Sequence, residues 1–216
     1  MEKYCFSTIN QPTFYEIPKI KGSRFLGYLF PITTKEEFEQ ALTQVKKEHF
    51  SATHRCYAYK YDCRCQTDLF GVPHYLSQQI RSNDDWEPSN TAWKPILSVL
   101  DGAQLHHVGL IVVRYFWWTL LGVWGLIQAY TECAKATMEH ANIVEQEIYT
   151  VFDLTYEYAQ ISLLSWLFKK YHIKLLDTLY DSHFPSKVVQ KLQINQWYFE
   201  SFKKELLDQS NGTLIL

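Results

Sequence analysis

The spacing of apolar positions changes period several times along this chain, and each change marks an element. Residues 15–32 alternate weakly around Lys21-Gly22-Ser23-Arg24-Phe25, which predicts a strand pair or one long bent strand. Thr34 and Glu37 have capping-box spacing, and Phe38, Ala41, Leu42 and Val45 then give a helical apolar face through about residue 49. Residues 54–61 alternate as a strand. Residues 62–90 are polar, carry Gly71, Pro73 and Pro88, and predict a long loop. A helix is expected over 91–100, a buried strand over 107–116, and a helix over 125–140 with Leu126, Tyr130, Cys133, Ala134 and Thr137 on one side.

The pattern restarts after residue 141. Strands are expected at 147–155, 173–181, 187–194 and 213–216. A helix over 158–171 carries Ile161, Leu164, Trp166, Leu167 and Phe168 on its apolar side, and Asn195 caps another running to about 207. That order is βαββαβ, the ferredoxin-like motif. The predicted organisation is therefore α+β in two domains, 1–141 and 142–216. Between residues 109 and 127 Arg114 is the only charge, and the run imitates a membrane span. Its β-branched and aromatic half followed by Gly122 and Gly125 reads instead as strand, turn and helix.

Composition narrows the function classes. The 216 residues are 47% apolar and 20% charged with net charge −2, so no global field draws the chain to nucleic acid or membrane, and any anion site is local. The N-terminal residues lack an apolar core of signal-peptide length, and the five cysteines are odd in number and scattered, which predicts reduced thiols in a cytoplasmic protein. His54, Cys56, Cys63 and Cys65 form an H-x-C…C-x-C group that either holds a soft metal or is a strand with incidental cysteines. Zinc sites favour C-x₂₋₄-C spacing, so no metal is expected. No P-loop, G-x-S-x-G, H-E-x-x-H or catalytic triad is readable, and no cofactor is expected.

Seven tryptophans are present, and five crowd together: Trp86, Trp93, Trp117, Trp118 and Trp124. They sit among turn and helix-start signals, where tight turns favour residues without a Cβ. Lys21-x-Ser23-Arg24-Phe25, Ala52-x-His54-x-Cys56-x-Ala58, the block NDDWEPSNTAWKPIL (83–97) and the block VGLIVVRYFWWTLLGVWGLIQAY (108–130) resemble the IMPACT/YigZ family. In that family the second of these long blocks has R-Y-[YF]-G-G-x-x-L-G-x-G-G-L and the first S-D-D-G-E-P-x-G-T-A-G-x-P-x-L. Each of the five tryptophans stands where the family has glycine, and Asn90 replaces a sixth.

The resemblance implies an N-terminal α/β sandwich with a left-handed βαβ crossover, shared with a ribosomal-protein domain, and a small ferredoxin-like C-terminal domain of the bacterial type. It implies a cytoplasmic, non-enzymatic binding or regulatory protein linked to translation, with ribosome, RNA or a translation-associated protein as partner and no membrane. Eukaryotic relatives regulate translation by competing for a ribosome-associated activator of a stress kinase, through a further N-terminal domain that is not in this sequence. The alternative is a phosphate-ligand or nucleotide-binding enzyme, by analogy of fold with GHMP kinases.

The residues themselves allow a phosphate site. A strand ending at Arg114, a glycine-rich turn at Gly122 and Gly125 and a helix start would present bare amides and a bidentate donor. Lys94, Lys21 and Arg24 would add charge. Asp84, Asp85 and Glu87 would bind a divalent cation or cap the next helix. The competing reading is that the glycines permit close packing and Arg114 is ion-paired with the acidic cluster. On either reading, indoles at these positions are expected to block the site and strain the domain. A third possibility, base stacking on exposed tryptophans, lacks a basic stripe to support it.

Overall fold

The chain runs β1 (Cys5–Ile9), β2 (Thr13–Glu16), β3 (Arg24–Pro31), α1 (Lys35–Glu48), β4 (His54–Thr67), β5 (Pro73–Asn83), α2 (Trp93–Gly102), β6 (Val108–Tyr115), α3 (Gly122–Glu139) and β7 (Ile143–Glu147). It continues with β8 (Tyr149–Glu157), a 3₁₀ turn (Tyr158–Gln160), α4 (Ile161–Lys170), β9 (Lys174–Tyr180), β10 (Lys187–Asn195) and α5 (Gln196–Gln209). This is a computed structural model, and it describes residues 5–67, 73–180 and 187–214. The fold is α+β, and the chain divides into one unit over Phe6–Gln146 and another built on Glu147–Leu216. Among the described residues no helix is long and apolar enough to cross a membrane.

The first unit is organised by β6. Its sequence is apolar on both faces because both faces are covered. The sheet order is β2-β3-β6-β4-β5, with β6 antiparallel to β3 and to β4. The two parallel strands of the β3-α1-β4 unit are therefore separated by β6. Leu110 and Val112 pack with Phe25, Ile96, Leu100, Leu126 and Tyr130 beneath α2 and α3. Ile111 and Val113 pack with Phe38, Leu42 and Val45 of α1 on the other face. Burying a side chain such as Phe38 contributes about 1.5–3 kcal/mol. Two strand glycines mark close approaches. A Cβ on Gly27 would lie 1.9 Å from Thr137 Oγ1 of α3, and one on Gly109 would lie 2.4 Å from the Phe38 ring of α1.

The N-terminus of α1 is capped as its sequence predicts on one side only. Thr34 Oγ1 accepts from the Glu37 N–H at 3.2 Å, but the Glu37 carboxylate accepts from the Thr33 N–H at 2.6 Å instead of the capping residue's own amide. The expected 62–90 loop is largely a hairpin: β4 runs on to Thr67 and β5 covers Pro73–Asn83. Among the described residues β5 pairs with β4 alone, so as an edge strand it keeps polar or exposed positions such as Gln79 and Arg81, and its sequence loses the apolar alternation of an inner strand. α2 begins at Trp93 rather than 91, and α3 begins at Gly122 rather than Gly125.

In the second unit β8, β10 and β9 form an antiparallel sheet in that order. α4 and α5 contribute Leu164, Leu167, Phe202 and Leu206 to its core. The order β8-α4-β9-β10-α5 reproduces the first five elements of the predicted motif. Thr213 and Leu214 are not in a strand, and 215–216 lie outside the described residues. Asn195 caps α5, its Oδ1 accepting from the Trp197 N–H at 3.0 Å. Trp166, expected on the apolar side of α4, is half exposed and lies against the Lys170 ammonium, 5.0 Å from the ring centroid.

Candidate functional site

The loop that follows β5 is closed by its own carboxylates. Asp84 Oδ2 accepts from the Asn90 N–H at 2.7 Å, and its Oδ1 accepts from Ala92 and Trp93 at 3.0 and 2.9 Å. Ala92 has no side-chain cap to offer, so Asp84 caps α2 from eight residues upstream, where a negative charge also suits the positive end of the helix dipole. Asp85 Oδ2 accepts from the Arg55 N–H at 2.7 Å, and the Asp85 carbonyl accepts from His54 Nδ1 at 2.8 Å. Of the two roles open to the acidic cluster, Asp84 takes the capping one. Asp85 and Glu87 point to other partners, and among the described residues no group of His, Cys, Asp and Glu is arranged to hold a metal. Cys65 has no described side chain, while Cys56 and Cys63 are buried and in no disulfide.

Glu87 turns inward. Its Oε1 accepts from Arg114 Nη1 at 2.6 Å and from the Tyr130 hydroxyl at 2.8 Å, and His54 Nε2 stands 3.7 Å away. Both members of the Arg114–Glu87 pair are almost fully buried. Cys56 Sγ donates onward to Tyr130 at 3.2 Å. Burial pushes the Cys56 thiol and the Tyr130 phenol above their ordinary ranges, so both stay protonated and serve as donors. The Arg114 guanidinium is also flanked by the rings of Phe25 and Phe116, at 5.5 and 5.2 Å, and its Nε–H has no hydrogen-bond partner among the described residues. Arg114 is thus ion-paired with the acidic cluster, as one of the two sequence readings held.

This network floors a cavity of about 370 Å³ lined by Thr53, His54, Trp86, Glu87, Arg114 and Phe116, and by Leu121 and Gly122 at the start of α3. Gly122 has φ +70°, and Leu121 gives α3 no side-chain cap. Gly125 lies within the first turn of α3, not in the loop. Phe116 also lines a second hollow, of about 460 Å³, with Lys19, Gly22, Arg24, Tyr115 and Trp117. Lys21 and Gly22 make the turn beside it, with φ +46° and +83°. Arg24 forms a bidentate pair with Glu16 at 2.7 and 3.0 Å, which holds the Glu16 carboxyl below its usual range, and its guanidinium lies over the Tyr115 ring. Lys94 is elsewhere, in a groove of about 850 Å³ between α2 and α3 that Lys135 also lines.

The predicted site residues therefore do not form one site: Asp84 and Asp85 are taken up by backbone amides, Gly125 lies in α3, and the rest fall into three places. Arg114, Glu87 and Gly122 share one cavity; Arg24 and the Lys21 turn belong to its neighbour; Lys94 lies in the interhelical groove. Sequence reading missed Tyr130 and Thr53 as parts of the site. Tyr130 sits in an ordinary apolar helical pattern, and only its polar tip distinguishes it from a core residue.

The chain belongs to the IMPACT family: the Impact N-terminal domain model matches residues 21–138, more than half of it. It is 33% identical over 201 residues to an IMPACT family member of Haemophilus influenzae, covering 92% of this chain and 89% of that one. It is 28% identical over 200 residues to the Escherichia coli IMPACT family member YigZ, covering 93% and 91%. A crystal structure of a hypothetical protein superposes with a TM-score of 0.70 at 27% identity, covering 99% of this chain and 96% of that one.

Proposed function

We propose that this protein is a non-enzymatic binding protein linked to translation, and that the two cavities either side of Phe116 receive RNA. Support for the link to translation comes from the family resemblance alone. Support for RNA comes from one observation: Arg114, buried and with an unmet Nε–H, lines a cavity that adjoins a hollow framed by Lys19, Arg24 and the flat faces of Tyr115 and Phe116. Cations beside ring faces suit a chain of phosphates and bases. Glu87, Tyr130 and Cys56 are engaged with one another, which suits a rigid binding floor better than a set of groups exchanging protons with a substrate.

In the chain as written, binding is impaired. The Trp117 side chain fills the space over Gly22, and Trp86 lines the Arg114 cavity. Two forms separate the possibilities: this chain, and one with Trp→Gly at 86, 93, 117, 118 and 124. Fluorescence anisotropy with single-stranded RNA should show binding by the second form that weakens with salt and with Lys19→Gln plus Lys21→Gln. Competition by inorganic phosphate would place the recognition in the anion alone. Ribosome co-sedimentation without RNA affinity would point to a protein partner, and nucleotide hydrolysis to an enzyme. Equal RNA binding by both forms, or none by either, would overturn the reading.

A further inference from the structure

Four of the five clustered tryptophans, three in loops and Trp124 in the first turn of α3, are among the most exposed large side chains of the described residues: Trp86 at 93%, Trp118 at 87%, Trp124 at 80% and Trp117 at 62%. Trp86 and Trp118 also have φ of +71° and +46°. A bulky residue in the left-handed region is a true conformational outlier, and an indole left in water contributes nothing to packing. The backbone around them is nonetheless well made. Asp84 holds the amides of Asn90, Ala92 and Trp93, Arg114 holds Glu87, and the 3.4 Å contact from the Trp117 N–H to Ser23 Oγ ties the second loop to the β2–β3 turn. At 86 and 118 the backbone has the shape glycine would give it, and of the neighbouring indoles Trp117 packs over Gly22.

Asn90 shows what accommodation looks like. It too stands at a signature glycine, with φ +66°, and asparagine is one of the few residues that tolerates that conformation. Trp166 and Trp197 show the opposite contrast. Like Trp93 and Trp124 they lie in helices, but they fall outside the blocks in which the family resemblance places glycine, and Trp166 has a lysine over its ring. Five tryptophans at the five positions where the family resemblance places glycine, two of them in the left-handed region, call for one cause acting at five codons rather than five separate events.

We infer that positions 86, 93, 117, 118 and 124 are glycine in the protein its own cell makes, and that the tryptophans mark a codon which that cell's ribosomes read as glycine. UGA is the codon that fits, because its meaning differs among bacterial codes and it is one base from both a tryptophan and a glycine codon. Decoded so, the chain loses the two strained tryptophans and the four exposed indoles together. The Arg114 cavity and its cationic neighbour then open to ligand. The inference stands whether or not the ligand is RNA, since residue identity and binding are measured separately.

Peptide mass spectrometry on the protein isolated from its own cells decides it. Trypsin yields one peptide spanning 82–114, with positions 86 and 93, and one spanning 115–135, with 117, 118 and 124. Both should appear at glycine masses, while the peptides carrying Trp166 and Trp197 keep tryptophan. In the gene, the five codons should be one and the same and should differ from the codon used at 166 and 197. Tryptophan masses in the 82–114 and 115–135 peptides, or UGG at the five positions, would overturn the inference.

Discussion

The loops at 84–93 and 116–121 flank the same arginine, and each holds a tryptophan in the left-handed region, Trp86 in one and Trp118 in the other. In the first, Asp84 binds three amides, Asp85 binds a fourth, and His54 holds the Asp85 carbonyl. In the second, the Phe116 N–H reaches Thr53 Oγ1 at 3.1 Å, the Trp117 N–H reaches Ser23 Oγ at 3.4 Å, and the Thr119 N–H turns back to the Trp117 carbonyl. One loop is fixed by charged acceptors and the other by two hydroxyls. Strain at Trp86 is therefore locked in, while strain at Trp118 can be relieved by a local shift of a lightly held segment.

The floor common to both loops should show the largest effect. Glu87→Leu leaves Arg114 buried without its counter-ion, and breaking a buried pair from one side costs about 3–5 kcal/mol. Urea unfolding should show that loss; a change within experimental error would mean that the pair does not anchor the loops. Asp84→Ala removes three charge-assisted bonds and the α2 cap, for a loss of about 2–3 kcal/mol. Thr53→Val, the equivalent cut in the second loop, removes one bond to an exposed amide and should cost about 1 kcal/mol or less. Equal losses from these two variants would erase the contrast between the loops.

Reverting the strained residues tests the contrast from the other side. Left-handed strain of about 1–3 kcal/mol per site is offset by glycine's greater unfolded-state entropy, about 0.5–1 kcal/mol. Trp86→Gly should therefore raise the melting temperature, and Trp118→Gly should raise it less because that lightly held loop can shift to relieve strain. The reverse order would show that hydrogen bonding does not set how much strain each loop retains.

How much of this was visible beforehand depends on what each residue does. β6 and α3 were legible because Leu110, Val112, Leu126, Tyr130 and Cys133 all point into one core, and period follows burial. The β4–β5 hairpin was hidden because an edge strand with a solvated side keeps little apolar alternation. In the site, Arg114 and the acidic cluster were readable as charges within an apolar and turn-rich context. Their pairing was one of two sequence readings, because whether Glu87 faces water or Arg114 depends on a loop that Asp84 closes through backbone amides. Tyr130 could not be singled out, since its ring belongs to the core and only its hydroxyl belongs to the site.

Acid should lower the stability of the whole unit without altering the difference between its loops. His106 lies just before β6, away from both, with Ser77 Oγ 2.8 Å from its Nδ1. Burial, reinforced by the Lys60 charge, pulls its pKa from an ordinary 6.5 down to about 4. Between those values the unfolded chain binds a proton that the folded chain refuses. Stability is therefore complete above about pH 6.5 and falls as pH drops toward 4. The buried ring retains some contact with solvent, so this should be the smallest of the effects. Urea midpoints at pH 7 and pH 5 should differ less in His106→Gln than in the parent. The gap between Trp86→Gly and Trp118→Gly should be the same at both pH values, because neither loop packs on His106. A gap that narrows in acid would mean that the 84–93 loop and His106 are coupled and that the two loops do not respond independently of it.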